Sequence, residues 1–144
     1  MDRNDFKTLR DLSDKIIRSD IKFTQRKQAA GVFVADGIEI ENSLGISLKL
    51  NLRFDPEIGS KTVNVVAVGA GGPICRIDVD GPPHRPAGRS HKHSLQTDKC
   101  PDRNLPDGVT DRSDLSGKTI KEIFTAFCEM AKIAHEGNFA SPPE

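Results

Sequence analysis

Three of the four histidines of this chain, His84, His91 and His93, stand within ten residues of one another. An arginine and an aspartate two residues apart precede them. The run reads Arg76-x-Asp78-x-x-Gly81-x-x-His84-x-Pro86-x-Gly88-x-x-His91-x-His93. Convergent imidazoles can do acid–base work, one taking a proton while another gives one, as in metal-independent cleavage of RNA through its 2′-OH. Asp78 would then orient a ring, and Arg76 would hold a phosphate in its planar fork. Alternatively, two histidines and an aspartate can bind Zn, Mn or Fe with positions left open for hydrolysis. In a third arrangement the rings only satisfy backbone or carboxylate partners in a polar loop.

Strand periodicity makes the run more than a cluster in sequence. Arg76 and Asp78 share a face because they are two apart, and so do His91 and His93. If residues 74–79 and 90–95 are strands that pair across the loop 80–89, all four side chains can meet on one surface, with His84 on its rim. The candidate catalytic residues are therefore His91, His93, Asp78 and His84. Arg76, Arg85, Arg89 and Lys92 are the candidate phosphate ligands. Residues 76–93 carry 4 basic against 2 acidic side chains, a local excess of +2. That suits a phosphate-bearing ligand such as RNA, and equally an acidic protein partner. No cofactor and no metal is expected, because neighbouring cations repel a metal ion.

The elements that must position these residues are readable from apolar spacing. Phe6, Leu9, Leu12, Ile16 and Ile17 predict an amphipathic helix over 4–18, and Ile120, Ile123, Phe124, Phe127, Ala131 and Ala134 predict another over 119–135. Thr119 and Glu122 fit a capping box. His135 would then sit at the C-terminal end of the helix dipole, and Gly137 would end the helix. Between the helices, residues 45–54 alternate strictly. Ile46, Leu48, Leu50, Leu52 and Phe54 lie on one side; Ser47, Lys49, Asn51 and Arg53 lie on the other. Residues 61–69 return. Asp36-Gly37 within residues 28–41 predicts a tight hairpin turn. Residues 96–114 form a long polar connection.

The expected fold is α+β: a curved antiparallel meander of four to six strands, with the N- and C-terminal helices packed on one face. Residues 1–139 make a single domain and 140–144 a disordered tail. Truncating Phe127 to alanine should cost about 3–5 kcal/mol if it is core.

Composition narrows the classes of function. The chain has 144 residues, with 21 basic and 21 acidic, so the domain as a whole is not a basic nucleic-acid binder. Trp and Tyr are absent and Phe supplies all the aromatic content, which disfavours a base-stacking platform. No apolar run approaches the roughly 20 residues of a membrane span. No membrane partner is therefore expected, and the N-terminus, with no apolar segment of the secretory kind, predicts no secretory signal. Three cysteines with long spacings and no CxxC predict free thiols in a reducing, cytoplasmic setting. Cys75 and Cys128 fall at core positions, and Cys100 falls in the polar loop.

The stretch Cys75–His93, followed by a helix, resembles a pattern in small uncharacterised bacterial and phage proteins. It is more distantly similar to the TumE family of toxin–antitoxin toxins. The residues that carry the likeness are Arg76, Asp78, His84, His91 and His93. This chain differs in having Ile74 and Ile77 where that pattern has an aromatic, and in the long 96–114 insertion. The resemblance implies a small mobile-element protein with a ribonuclease-type or toxin role, whose partners would be RNA and a cognate antitoxin or host protein. The competing expectation is a non-catalytic inhibitor or interaction protein of a phage or mobile element. The oligomeric state is open.

Overall fold

The alternation of residues 48–55 decides the architecture. Leu48, Leu50, Leu52 and Phe54 are buried, while Lys49, Asn51, Arg53 and Asp55 are half-buried or exposed. A strand with this pattern needs an apolar layer on one side only, and the neighbouring strands repeat it. The structure, a computed structural model, describes residues 3–27, 31–69, 73–82, 88–93 and 109–144. The elements in chain order are α1 (Arg3–Asp11), β1 (Lys15–Ile17), β2 (Ile21–Lys22), β3 (Thr24–Gln25), β4 (Phe33–Ile40), β5 (Leu48–Asp55), β6 (Ser60–Ala67), β7 (Pro73–Val79), β8 (His91–His93), β9 (Val109–Asp111), α2 (Ile120–Ala131), β10 (Ile133–His135) and β11 (Phe139–Ala140).

The fold is α+β. β3 to β9 form an antiparallel meander in sequence order, seven strands when the short edge strands β3 and β9 are counted. One face builds the core. Val63, Val65, Cys75, Ile77 and Val79 join the apolar series of β5, and Leu9 of α1 and Ile120, Ile123, Phe124, Phe127 and Ala131 of α2 pack in the same cluster. Phe127 is fully buried. The capping box is present: Thr119 Oγ1 accepts from the Glu122 N–H, and the Glu122 carboxylate accepts from the Thr119 N–H.

Both helices are shorter than their apolar spacing predicts, and for one reason. α1 ends at Asp11 and α2 at Ala131, with Lys132 in the left-handed conformation. The stretches read as their last turns are β1 and β10, which pair with each other in parallel, Ile16 opposite Ala134 and Ile17 opposite His135. β2 and β11 continue the arrangement as a second parallel pair. His135 is therefore a strand residue. Its Nε2 lies 3.0 Å from the Ser19 carbonyl, and its ring meets Phe124 edge-on. Gly137 serves a close approach and not a helix end, since a Cβ there would stand 2.3 Å from the Ser19 carbonyl oxygen.

Two other expectations change. Asp36-Gly37 does not turn the chain; it is a bulge inside β4, where the register against β5 shifts between Ala35 and Ile38. Gly37 takes the positive φ of 69° there, which a glycine adopts without strain. The last residues also fold back. Pro142 is buried, and the Glu144 carboxylate accepts from the Ile120 N–H at 2.9 Å, placing an anion at the start of α2. Within the long connection, Val109–Asp111 is the edge strand β9 and Ser113–Leu115 a short 3-10 turn. Cys100 lies outside the described residues, and Cys75 and Cys128 are buried and not in a disulfide. No helix among the described residues is long and apolar enough to cross a membrane.

Candidate functional site

β7 (Pro73–Val79) and β8 (His91–His93) are adjacent antiparallel strands, the condition on which the motif positions could share a face. Asp78 is the cross-strand partner of His91, and Arg76 is the partner of His93. Directly opposed residues of an antiparallel pair stand on one side of the sheet. Register therefore gathers positions 76, 78, 91 and 93 on the face opposite the core, whose alternate positions are Cys75, Ile77 and Val79. The same rungs continue inward. Asp78 pairs with Thr62 and Thr62 with Arg53; Arg76 pairs with Asn64 and Asn64 with Asn51. Outward, Asp111 stands opposite His91.

The charged pair at the centre is satisfied internally. Arg76 Nε donates to Asp78 Oδ2 at 3.0 Å, and Nη2 donates to Oδ1 at 3.1 Å. Thr62 Oγ1 donates to Asp78 Oδ1 at 2.9 Å. The Asp78 side chain is 12% exposed and that of Arg76 29%. The fork expected to hold a phosphate thus grips the neighbouring carboxylate, because two residues on one strand face put a guanidinium edge within reach of it. The other guanidinium edge still has N–H donors. A divalent ion at Asp78 would stand against this guanidinium, and like charges repel.

Arg89 also works on the protein itself. Nε donates to the Gly81 carbonyl at 3.1 Å and Nη2 to the Asp80 carbonyl at 3.0 Å, while the Gly81 N–H donates to the Arg89 carbonyl. Arg89 closes the neck of the loop between β7 and β8. Lys92 stands opposite the fully buried Ile77, so its register position belongs to the other face from Arg76 and Asp78. His84 and Arg85 lie outside the described residues.

Sequence reasoning passed over Asp80, which anchors the same loop. It adopts φ 55°, a conformation that Asp and Asn tolerate better than most residues. Its carboxylate accepts from the Ser116 hydroxyl, the Gly117 N–H at 2.8 Å and the Ser90 hydroxyl at 3.4 Å; Ser90 Oγ in turn accepts from the Asp80 N–H. Burial alone would raise this carboxyl. The Ser116 and Gly117 hydrogen bonds and the charge of Lys61 outweigh it and hold the group below the ordinary aspartate range. The start of β8 is thereby tied to the segment that leads into α2. Thr62 and Asn64 were also passed over. Their signal was available, since polar residues two apart on the strand preceding an Arg-x-Asp strand share its outward face when the register is even.

Comparison with known protein families, with curated proteins and with solved structures returned no match.

Proposed function

We propose that the outward face around Arg76, Asp78, His91 and His93 acts on RNA or another phosphate-bearing ligand, in the manner of a small toxin-like ribonuclease. One observation carries this reading: the register sets an acidic and a basic residue opposite the two histidines, Asp78 to His91 and Arg76 to His93. In the proposed reaction one imidazole removes the proton from a 2′-OH and the other protonates the leaving oxygen. Asp78 orients His91 as its cross-strand neighbour. The free edge of Arg76 faces the charge that builds on the phosphate. His84 and Arg85, outside the described residues, keep the catalytic and phosphate-binding roles expected from the sequence. Arg89 positions the β7–β8 loop, and the register position of Lys92 belongs to the other face, so neither is assigned to the phosphate in this reading. The setting would be the cytoplasm, and the partners RNA and an antitoxin or host protein.

A second reading, a non-catalytic inhibitor or interaction protein, draws on a specific observation. The forks of Arg76 and Arg89 both bind groups of this chain, as they would in a rigid docking surface.

Expression of the wild type and of a His91→Ala/His93→Ala variant in bacteria, with growth and bulk RNA followed, separates the two. Growth arrest with RNA loss that disappears in the variant supports the ribonuclease. Absence of arrest at every expression level moves the assignment to the interaction protein.

A further inference from the structure

Beside the Arg76–Asp78 pair, the outward face sinks into a depression of about 380 Å³ whose lining includes Arg53, Asn64, Asn51 and Thr62. Its polar groups are directed by a one-way chain of hydrogen bonds. The bulge at Gly37 turns its N–H to Asn51 Oδ1 at 2.9 Å, which sets the orientation of that amide. Asn51 Nδ2 then donates to Asn64 Oδ1 at 3.0 Å. With its oxygen turned to Asn51, Asn64 keeps its NH2 group as a donor, and its cross-strand partner is Arg76. Arg53 is exposed and, among the described residues, makes no hydrogen bond or ion pair. The one carboxylate in the lining, Asp36, faces Arg26 at 3.4 Å.

Arg53 and Asn64 thus offer donors on adjacent strands, with Arg76 the next residue along the Asn64 rung. Guanidinium groups have no acceptor, and the Asn64 oxygen is already turned to Asn51. Two guanidinium groups and an amide donor on one stretch of the face, against a single carboxylate that already faces Arg26, favour an anion. Resting on the reading above, we infer that Arg53 and Asn64 form a second anion subsite that holds a flanking phosphate of the RNA strand. Arg53 lies two strands from Asp78, about 10 Å at ordinary strand spacing. The two positions therefore take different phosphates of one chain. No aromatic side chain lines the depression, so the grip is on the backbone and is indifferent to base sequence.

The variants that test this preserve the fold. Arg53→Gln removes an exposed charge. Asn64→Asp keeps the acceptor for Asn51 and replaces the NH2 donors with a carboxylate oxygen. Binding is measured with a 2′-O-methylated single-stranded RNA, which cannot be cut through the 2′-OH. Each variant should weaken it by about 5- to 20-fold, and Arg53→Gln should lower the slope of log affinity against log salt by about 0.7. Titration of the wild type with inorganic phosphate should move the Arg53 Nε and Asn64 side-chain amide NMR signals. Signals that stay still, with affinity unchanged in both variants, overturn the subsite even if the protein cuts RNA. Signals that move in a protein that cuts no RNA uphold the subsite and overturn the cleavage reading instead.

Discussion

Arg76 and Asp78, two residues apart on β7, bind each other through two parallel hydrogen bonds, Nε to Oδ2 at 3.0 Å and Nη2 to Oδ1 at 3.1 Å. Such a bidentate pair fixes both side chains at once, and register sets positions 93 and 91 of the next strand opposite the two residues. Arg76→Ala takes both guanidinium bonds from a carboxylate that is 12% exposed. It should lower stability by about 2–3 kcal/mol, read from the urea midpoint. Arg76→Met combined with Asp78→Leu should lose less than the sum of the single changes. Strict additivity in that double-mutant cycle would show that the two residues are not coupled.

Asp80→Asn isolates the carboxylate that ties the β7–β8 loop to residues 116–117, because Asn also accepts the left-handed backbone. The loss should be about 1 kcal/mol, with faster hydrogen exchange at the Gly117 amide. The folded pKa lies below the ordinary value of 3.8. The contribution is thus complete above that value and fades as pH falls through the folded pKa. Acid titrations of wild type and Asp80→Asn should converge at the low end. A constant gap between them at all pH values would contradict the assignment.

Lys15 is a buried cation whose Nζ donates to the Leu9 and Arg10 carbonyls near the end of α1. Burial lowers it from 10.5 to about 8, against a smaller opposing effect of Cys75. Between pH 8 and 10.5 the unfolded chain binds the extra proton, so unfolding free energy should rise with pH there, by about 3 kcal/mol at most. Lys15→Met should lack that rise. Cys128, raised by burial to about 12, loses stability from pH 9 upward in both proteins alike, so their difference curve removes it. The same rise in Lys15→Met would place its source elsewhere.

Gly137→Ala should destabilise by about 1–3 kcal/mol, since the new methyl meets backbone atoms of Ser19 and Asp20 that cannot swing away. Thermal melting checks this. An unchanged midpoint would mean that the β1–β2 connection shifts freely.

How much of this was legible before folding is seen by comparing two kinds of element. β5, β6 and β7 could be read locally, because each alternates between a buried and a wet side and neighbouring turns pair them in order. Their outward residues Arg76 and Asp78, and the spacing of His91 and His93, followed from the same period of two. β1 and β10 could not be read. Ile16-Ile17 and Ile133-Ala134 satisfy a helical stripe as well as a strand, and each becomes a strand only by pairing with the other end of the chain. Asp36-Gly37 carries the local signal of a turn, and a left-handed glycine serves a bulge equally well. The continued pairing of Ile38–Ile40 with β5 selects the bulge.

The sequence by itself determined the composition of the candidate site and the face it occupies, because residue type and two-residue spacing are local properties of one strand. Tertiary structure decided what each charge meets. Whether a guanidinium grips a ligand or a carboxylate depends on distances across a folded strand and between strands. Those distances turned Arg76 to Asp78 and Arg89 to its own loop, and left Arg53, with no place in the linear motif, as the exposed cation without a partner among the described residues of that face.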